Sequence, residues 1–246
     1  MVWHTGQRYL AEFLGTFGIV LAVGGAAVFS HAALGLDPLS RVLLVSLTVG
    51  FALLGMIYAL GEISGGHFNP AVSLSMLLSR KMAPRDFVPY LVAQVLGGIF
   101  AMLVVLGLAA GGSAASYTDA QTIALASQCY AGNGSPCTFS LAAVFLFELV
   151  FTFLLVFVIH LVTRPEAAAK NLAPVAIALT LTVTNLVGIP VDGASINPAR
   201  SLAPALISAV WPGAQWAITQ VWVFWVAPLL GGVLASFAEW YLRPRT

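Results

Sequence analysis

The sequence predicts an all-α membrane protein with six transmembrane helices and two re-entrant half-helices, arranged as an inverted three-plus-three repeat. Three observations carry this. Hydrophobic residues make up 60% of the 246 positions and charged residues only 8%, against roughly 25% charged in a soluble domain, and mean hydropathy is +0.96. Apolar stretches long enough to cross a bilayer, about 20 residues each, recur six times along the chain. Finally, "HFNPAVSL" at 67–74 is answered by "SINPARSL" at 195–202.

The spans read as 9–30, 42–60, 87–110, 139–162, 172–189 and 218–242. The first has an apolar run too long for a signal peptide and carries Glu12, so it is expected to remain in the mature protein. Arg8, then Arg80, Lys81 and Arg85, then Arg164 and Lys170, then Arg243 and Arg245 fall at the N-terminus, the 2–3 loop, the 4–5 loop and the C-terminus. Short loops rich in Lys and Arg stay in the cytoplasm, so both termini are expected there, in a cell (plasma or inner) membrane; Arg41 is the exception at a span end. Cys129 and Cys137 lie in the polar 3–4 loop, which this topology puts outside, where disulfides persist. A bridge and two free thiols are both open. A net charge of +1 without a Lys/Arg run argues against nucleic acid as a partner.

The chain is written twice, over about 8–110 and 138–242, within a single channel domain covering 1–246. "AEFLGTF" at 11–17 matches "FELVFTF" at 147–153, with Glu12 and Glu148 each four residues before a threonine. "AQVLGG" at 93–98 matches "APLLGG" at 227–232, a paired-glycine surface that lets helices approach closely. One Asn-Pro-Ala arises by chance at about 10⁻⁴ per position, so two copies at matching places are not coincidence. Three spans per half make the second half enter from the opposite side, an arrangement that places a solute path at the repeat interface.

Each Asn-Pro-Ala segment reads as a loop, then Asn at the helix N-cap (Asn69, Asn197), then Pro at the first helical position (Pro70, Pro198), then Ala71 or Ala199 in a short apolar helix. Residues 70–79 and 198–208 are half the length of a crossing and are expected to re-enter. Irregular backbone survives at membrane depth only where protein or a water-filled cavity satisfies it, so the loops before them, with Gly65, Gly66, His67 and Gly193, are expected to line a pore. Two half-helix N-termini would then meet at its centre, each bringing about half a positive charge, with Asn69 and Asn197 offering amide donors to what passes. Glu12 and Glu148 are ionisable groups within spans; their repetition with the loops favours carboxylates that accept hydrogen bonds from loop N–H groups over a proton relay.

The paired Asn-Pro-Ala motifs, the glutamate opening spans one and four, "GGHFNPAV" and "SINPARS" together resemble the aquaporin (major intrinsic protein) family over nearly the whole chain. The resemblance implies a homotetramer with one pore per subunit, passing water or small neutral solutes through the lipid bilayer, excluding protons and ions, and using no cofactor or metal. By spacing from the motifs, Arg200 matches the filter arginine, and Val49, Asn185 and Ala194 match the other filter positions, where water channels carry phenylalanine, histidine and threonine or cysteine. A valine and an amide in place of a ring and an imidazole imply a wider filter. Ala194 and "GASINPARSLAPA" resemble nodulin-like intrinsic proteins and their bacterial relatives, which pass glycerol, urea or metalloid hydroxides such as arsenite or boric acid. Ser201, where glycerol facilitators have aspartate, and Phe224-Trp225 favour a strictly water-selective channel instead. A coupled transporter carrying protons on Glu12 and Glu148, and a formate- or nitrite-type channel, are the other readings. No membrane Ser/His/Asp set or His-rich cluster points to an enzyme.

Overall fold

The computed structural model describes residues 3–32, 36–112, 124–168 and 170–243. It is helical, with α1 (Thr5–Ala32), α2 (Pro38–Ser64), α3 (Pro70–Leu78), α4 (Pro84–Ala110), α5 (Leu141–Val162), α6 (Ala173–Asp192), α7 (Pro198–Ser208), α8 (Trp216–Gln220) and α9 (Val223–Tyr241). Among the described residues six helical stretches are long and apolar enough to cross a membrane, α8 and α9 together forming the sixth. The protein is a multi-pass membrane protein.

Local chemistry sets the ends. Asp37 caps α2, accepting from the amides of Leu39 and Ser40, with Pro38 at the first position; Ser140 caps α5 through the amide of Ala143. Helices α2 and α6 stop at Gly65 and Gly193, both left-handed. The half-helices α3 and α7 begin at Pro70 and Pro198 behind capping asparagines. The last span breaks between Gln220 and Val223, which the unbroken apolar run there does not signal.

The packing repeats with the sequence. Helix α1 packs on α4 and on α2 as α5 packs on α9 and on α6, and each half-helix crosses over, α3 lying against α9 and α7 against α4. The paired glycines make the crossing fit. A Cβ added at Gly98 would stand 3.0 Å from the Ala199 carbonyl oxygen, and one at Gly232 would stand 2.6 Å from that of Ala71. Their neighbours Gly97 and Gly231 press on the backbone of α1 and α5 at Phe13 and Leu149. Outward faces carry exposed Leu, Val and Phe side chains, as a lipid-facing surface requires.

At the end of the bundle carrying both termini, the regions rich in cations come together. Arg8 pairs with Asp86 at 2.8 Å, and Glu239 gathers Arg243 at 2.9 Å, Lys81 at 3.3 Å and Arg164 at 3.8 Å. Burial pushes the Lys81 amine below its usual range against the pull of Glu239. Arg245 lies outside the described residues. His160 is fully buried, its ring nitrogens against Ser75 Oγ at 2.7 Å and Lys81 Nζ at 3.0 Å.

Candidate functional site

The N-termini of the two half-helices meet. Asn69 caps α3 by accepting the Ala71 amide at 2.8 Å and donates its own side-chain N–H to the Ile196 carbonyl at 2.8 Å. Asn197 caps α7 by accepting from Ala199 at 3.0 Å and Arg200 at 3.3 Å, and donates to the Phe68 carbonyl at 2.9 Å. Each asparagine thus caps its own helix and ties down the loop of the other half. One amide hydrogen of each is spent this way, and an amide carries two, so a single N–H per asparagine is left for the lumen.

The carbonyls that receive these bonds are aimed by strained backbone. Phe68 and Ile196, each just before the asparagine, have φ of 50° and 47°, a region where a β-branched or bulky residue is an outlier. Ala194 has φ 50°, and Gly65, Gly66 and Gly193 have 94°, 65° and 91°. The glycines supply positive dihedrals as expected, but three non-glycine residues supply them too, and composition gave no sign of those.

Glu12 and Glu148 hold the loops in that shape. Glu12 accepts from the amides of His67 (3.0 Å) and Phe68 (2.7 Å), from Ser64 Oγ (2.7 Å) and from Gln94 Nε2 (2.7 Å). Glu148 accepts from the amides of Ser195 and Ile196, both at 2.8 Å. Both carboxylates are fully buried. The halves correspond in finer detail: His67 Nδ1 meets Ser73 Oγ at 3.1 Å, and at the matching positions Ser195 Oγ meets Ser201 Oγ. The Gly66 amide donates to Ser64 Oγ at 3.2 Å, and the matching Ala194 amide donates to Asp192 Oδ1 at 2.8 Å. The correspondence breaks in chemistry there, since Asp192 sets a second acid beside Glu148.

Two cavities, of about 450 and 570 Å³, share Arg200 in their lining, and this junction lies along the first. The first reaches down to Lys81 and Lys170 and is walled by loop residues Gly65, Gly66, His67 and Phe68 on one side and by apolar side chains such as Leu53 and Ile177 on the other. Val49, Asn185, Ala194 and Arg200 all line it, as do Asn69 and Asn197. The second, toward the 3–4 loop, includes Gly193, Asp192 and the two cysteines, which are bonded to each other. The first cavity thus has one wall of loop backbone and polar side chains and one greasy wall, with charged side chains at Lys81, Lys170 and Arg200.

Arg200 is 7% exposed and is pinned by carbonyls, Nη1 donating to Ala126 at 3.4 Å and Nη2 to Gly193 at 3.3 Å. Asn185 donates to the Leu181 carbonyl at 3.0 Å, which leaves its amide oxygen for the lumen. Sequence reasoning did not reach Ala126, Gln94 or Asp192. Gln94 sits in the repeated "AQVLGG", but its counterpart is Pro228, so the repeat masks it.

Against known proteins, a profile of the family described as major intrinsic protein matches residues 2–239. The chain is 42% identical to Aquaporin Z of Rhodopseudomonas palustris over 97% of its own length and 94% of that protein's. It is 39% identical to Aquaporin Z of Photorhabdus laumondii over 94% of each. The X-ray structure of the aquaglyceroporin from Plasmodium falciparum superposes with a TM-score of 0.80 over 96% of both chains at 24% identity, which shows the same fold. Two half-helices joined tip to tip by their Asn-Pro-Ala asparagines, within six spans and under a profile covering nearly every residue, place the chain in the major intrinsic protein family.

Proposed function

We propose that this protein is a passive channel for water that also passes small neutral solutes, glycerol, urea and metalloid hydroxides among them, while excluding protons and ions. The family is one of passive channels, so the chain is not an enzyme. The observation that carries the reading is Arg200, whose side chain lines both cavities, with the two half-helix tips beside it. Positive half-helix ends and an arginine are barriers to protons and cations. Val49, Asn185 and Ala194 form the rest of the constriction, and they carry neither an aromatic ring nor an imidazole. Glycerol therefore finds room that a phenylalanine and a histidine would take.

The same reading makes 1–246 one channel domain of two inverted repeats, a homotetramer with a pore in each subunit, and a cell-membrane protein with both termini in the cytoplasm. A strictly water-selective channel is the second reading, favoured by Ser201 and by Phe224-Trp225. Stopped-flow light scattering on proteoliposomes separates the two, with water, glycerol and arsenite compared side by side. All three should exceed empty vesicles, without dependence on a proton or sodium gradient. Water flux alone establishes the second reading; gradient-dependent uptake establishes a transporter and overturns both.

A further inference from the structure

Beyond the pore, the end of the bundle bearing both termini holds a groove of about 460 Å³ between the C-terminal end of α3 and the outer face of α9. Its rim is basic, with Arg80 and Arg243, and its mouth is apolar, with Leu78, Phe237 and Trp240. Those three are 48%, 63% and 69% exposed, so they face whatever surrounds the spans. Tyr241 and Trp240 close the last span, where amphipathic rings mark the membrane–water boundary. The groove therefore sits at headgroup depth with its greasy side toward the acyl chains.

Two features of the groove remain unsatisfied within the chain. Arg80 is exposed, and among the described residues no carboxylate pairs with it. It is also held at φ 58°, because Arg80 N and Lys81 N close the end of α3 on the Leu77 and Met76 carbonyls at 3.0 and 2.8 Å; glycine normally takes that place. Three cations, Lys81, Arg164 and Arg243, share the one carboxylate of Glu239 behind the groove. Arg243 is fixed by that carboxylate and by the Ser79 carbonyl at 3.1 Å, so its guanidinium is already oriented. Excess positive charge and a fixed guanidinium are what a phosphate takes, and the apolar mouth is what acyl chains take.

We propose that this groove binds one anionic phospholipid per chain, with its phosphate on Arg80 and Arg243 and its acyl chains along Leu78, Phe237 and Trp240. A second copy of the chain would have to bring its own acidic group to this rim at membrane depth. A soluble phosphate would leave the exposed aromatic mouth without a partner.

Native mass spectrometry of the detergent-solubilised full-length protein tests this by titration with phosphatidylglycerol and, separately, phosphatidylcholine. The first phosphatidylglycerol per chain should bind several-fold more tightly than phosphatidylcholine. Arg80→Gln should lower its affinity about fivefold, and Arg85→Gln, the same charge change on the same side away from the groove, should leave it unchanged. Arg80→Gly guards against misfolding, because it relieves the left-handed backbone; it should unfold no earlier than the parent and still lose the lipid. Equal retention of both lipids, equal loss in Arg85→Gln, displacement by millimolar inorganic phosphate, or loss of the preference only when the oligomer dissociates would each overturn the proposal.

Discussion

Asn69 and Asn197 act on each other's loops: the amide of the first donates to the carbonyl before the second, at 2.8 Å, and the amide of the second returns the bond at 2.9 Å. Capping and cross-tying are separable functions of one side chain. Ser is also a good N-cap but is too short to reach the opposite loop. Asn69→Ser should therefore cost about 1 kcal/mol, one buried hydrogen bond, and Asn69→Ala about twice that, since it removes the cap as well. Thermal unfolding of the purified protein in detergent measures both. No loss in Asn69→Ser would show that the cross-tie contributes nothing, and equal losses in the two variants that the cap does not.

The glycines at the helix crossings should rank by the room each has. Gly232→Ala drives a methyl against the Ala71 carbonyl, with 2.6 Å available, and should cost about 2–3 kcal/mol. Gly98→Ala has 3.0 Å to the Ala199 carbonyl and should cost less. Gly107→Ala meets nothing within 4 Å and should be neutral. Retention of the soluble protein in detergent after graded heating gives the order, and a reversed ranking would contradict the packing described.

Asp192 Oδ2 is buried against the Glu148 carboxyl, and among the described residues no N–H or hydroxyl group donates to it. Asp192→Asn keeps the acceptor used by the Ala194 amide and adds a donor facing Glu148. It should raise stability by about 1 kcal/mol, a few degrees in the unfolding midpoint. Scanning calorimetry of the variant reads this directly; a lower midpoint would mean the acid pair is held by something the carboxamide cannot replace.

Rebuilding the constriction tests the solute range. Val49→Phe with Asn185→His puts a ring and an imidazole into the wall beside Ala194 and Arg200. Water flux should persist and glycerol flux should fall by about tenfold, the scale of discrimination that a few methylenes of space give. Unchanged glycerol flux in a folded double variant would remove these two residues from the filter.

Much of this was legible in the residues. Asn followed by Pro gave both half-helices to within a residue, because a capping side chain and a ring that needs no N–H fit only one end of a helix. Paired glycines gave the crossings, because nothing else lets backbone meet backbone. The dihedrals of Phe68 and Ile196 were not legible: bulky and β-branched side chains argue against left-handed backbone, and only the surrounding carboxylate bonds enforce it. Ala126 was out of reach for a different reason. A carbonyl looks alike at every residue, so its bond to Arg200 across 74 positions leaves no mark in the sequence.

The reciprocal ties have a consequence for how the molecule can be assembled. Neither repeat encloses a complete conduit, since each leaves its re-entrant loop to be latched by the other. Fragments ending after α4 and starting before α5 should be inert singly and recover permeation only when produced together, so the two halves must be inherited, and altered, as a matched set.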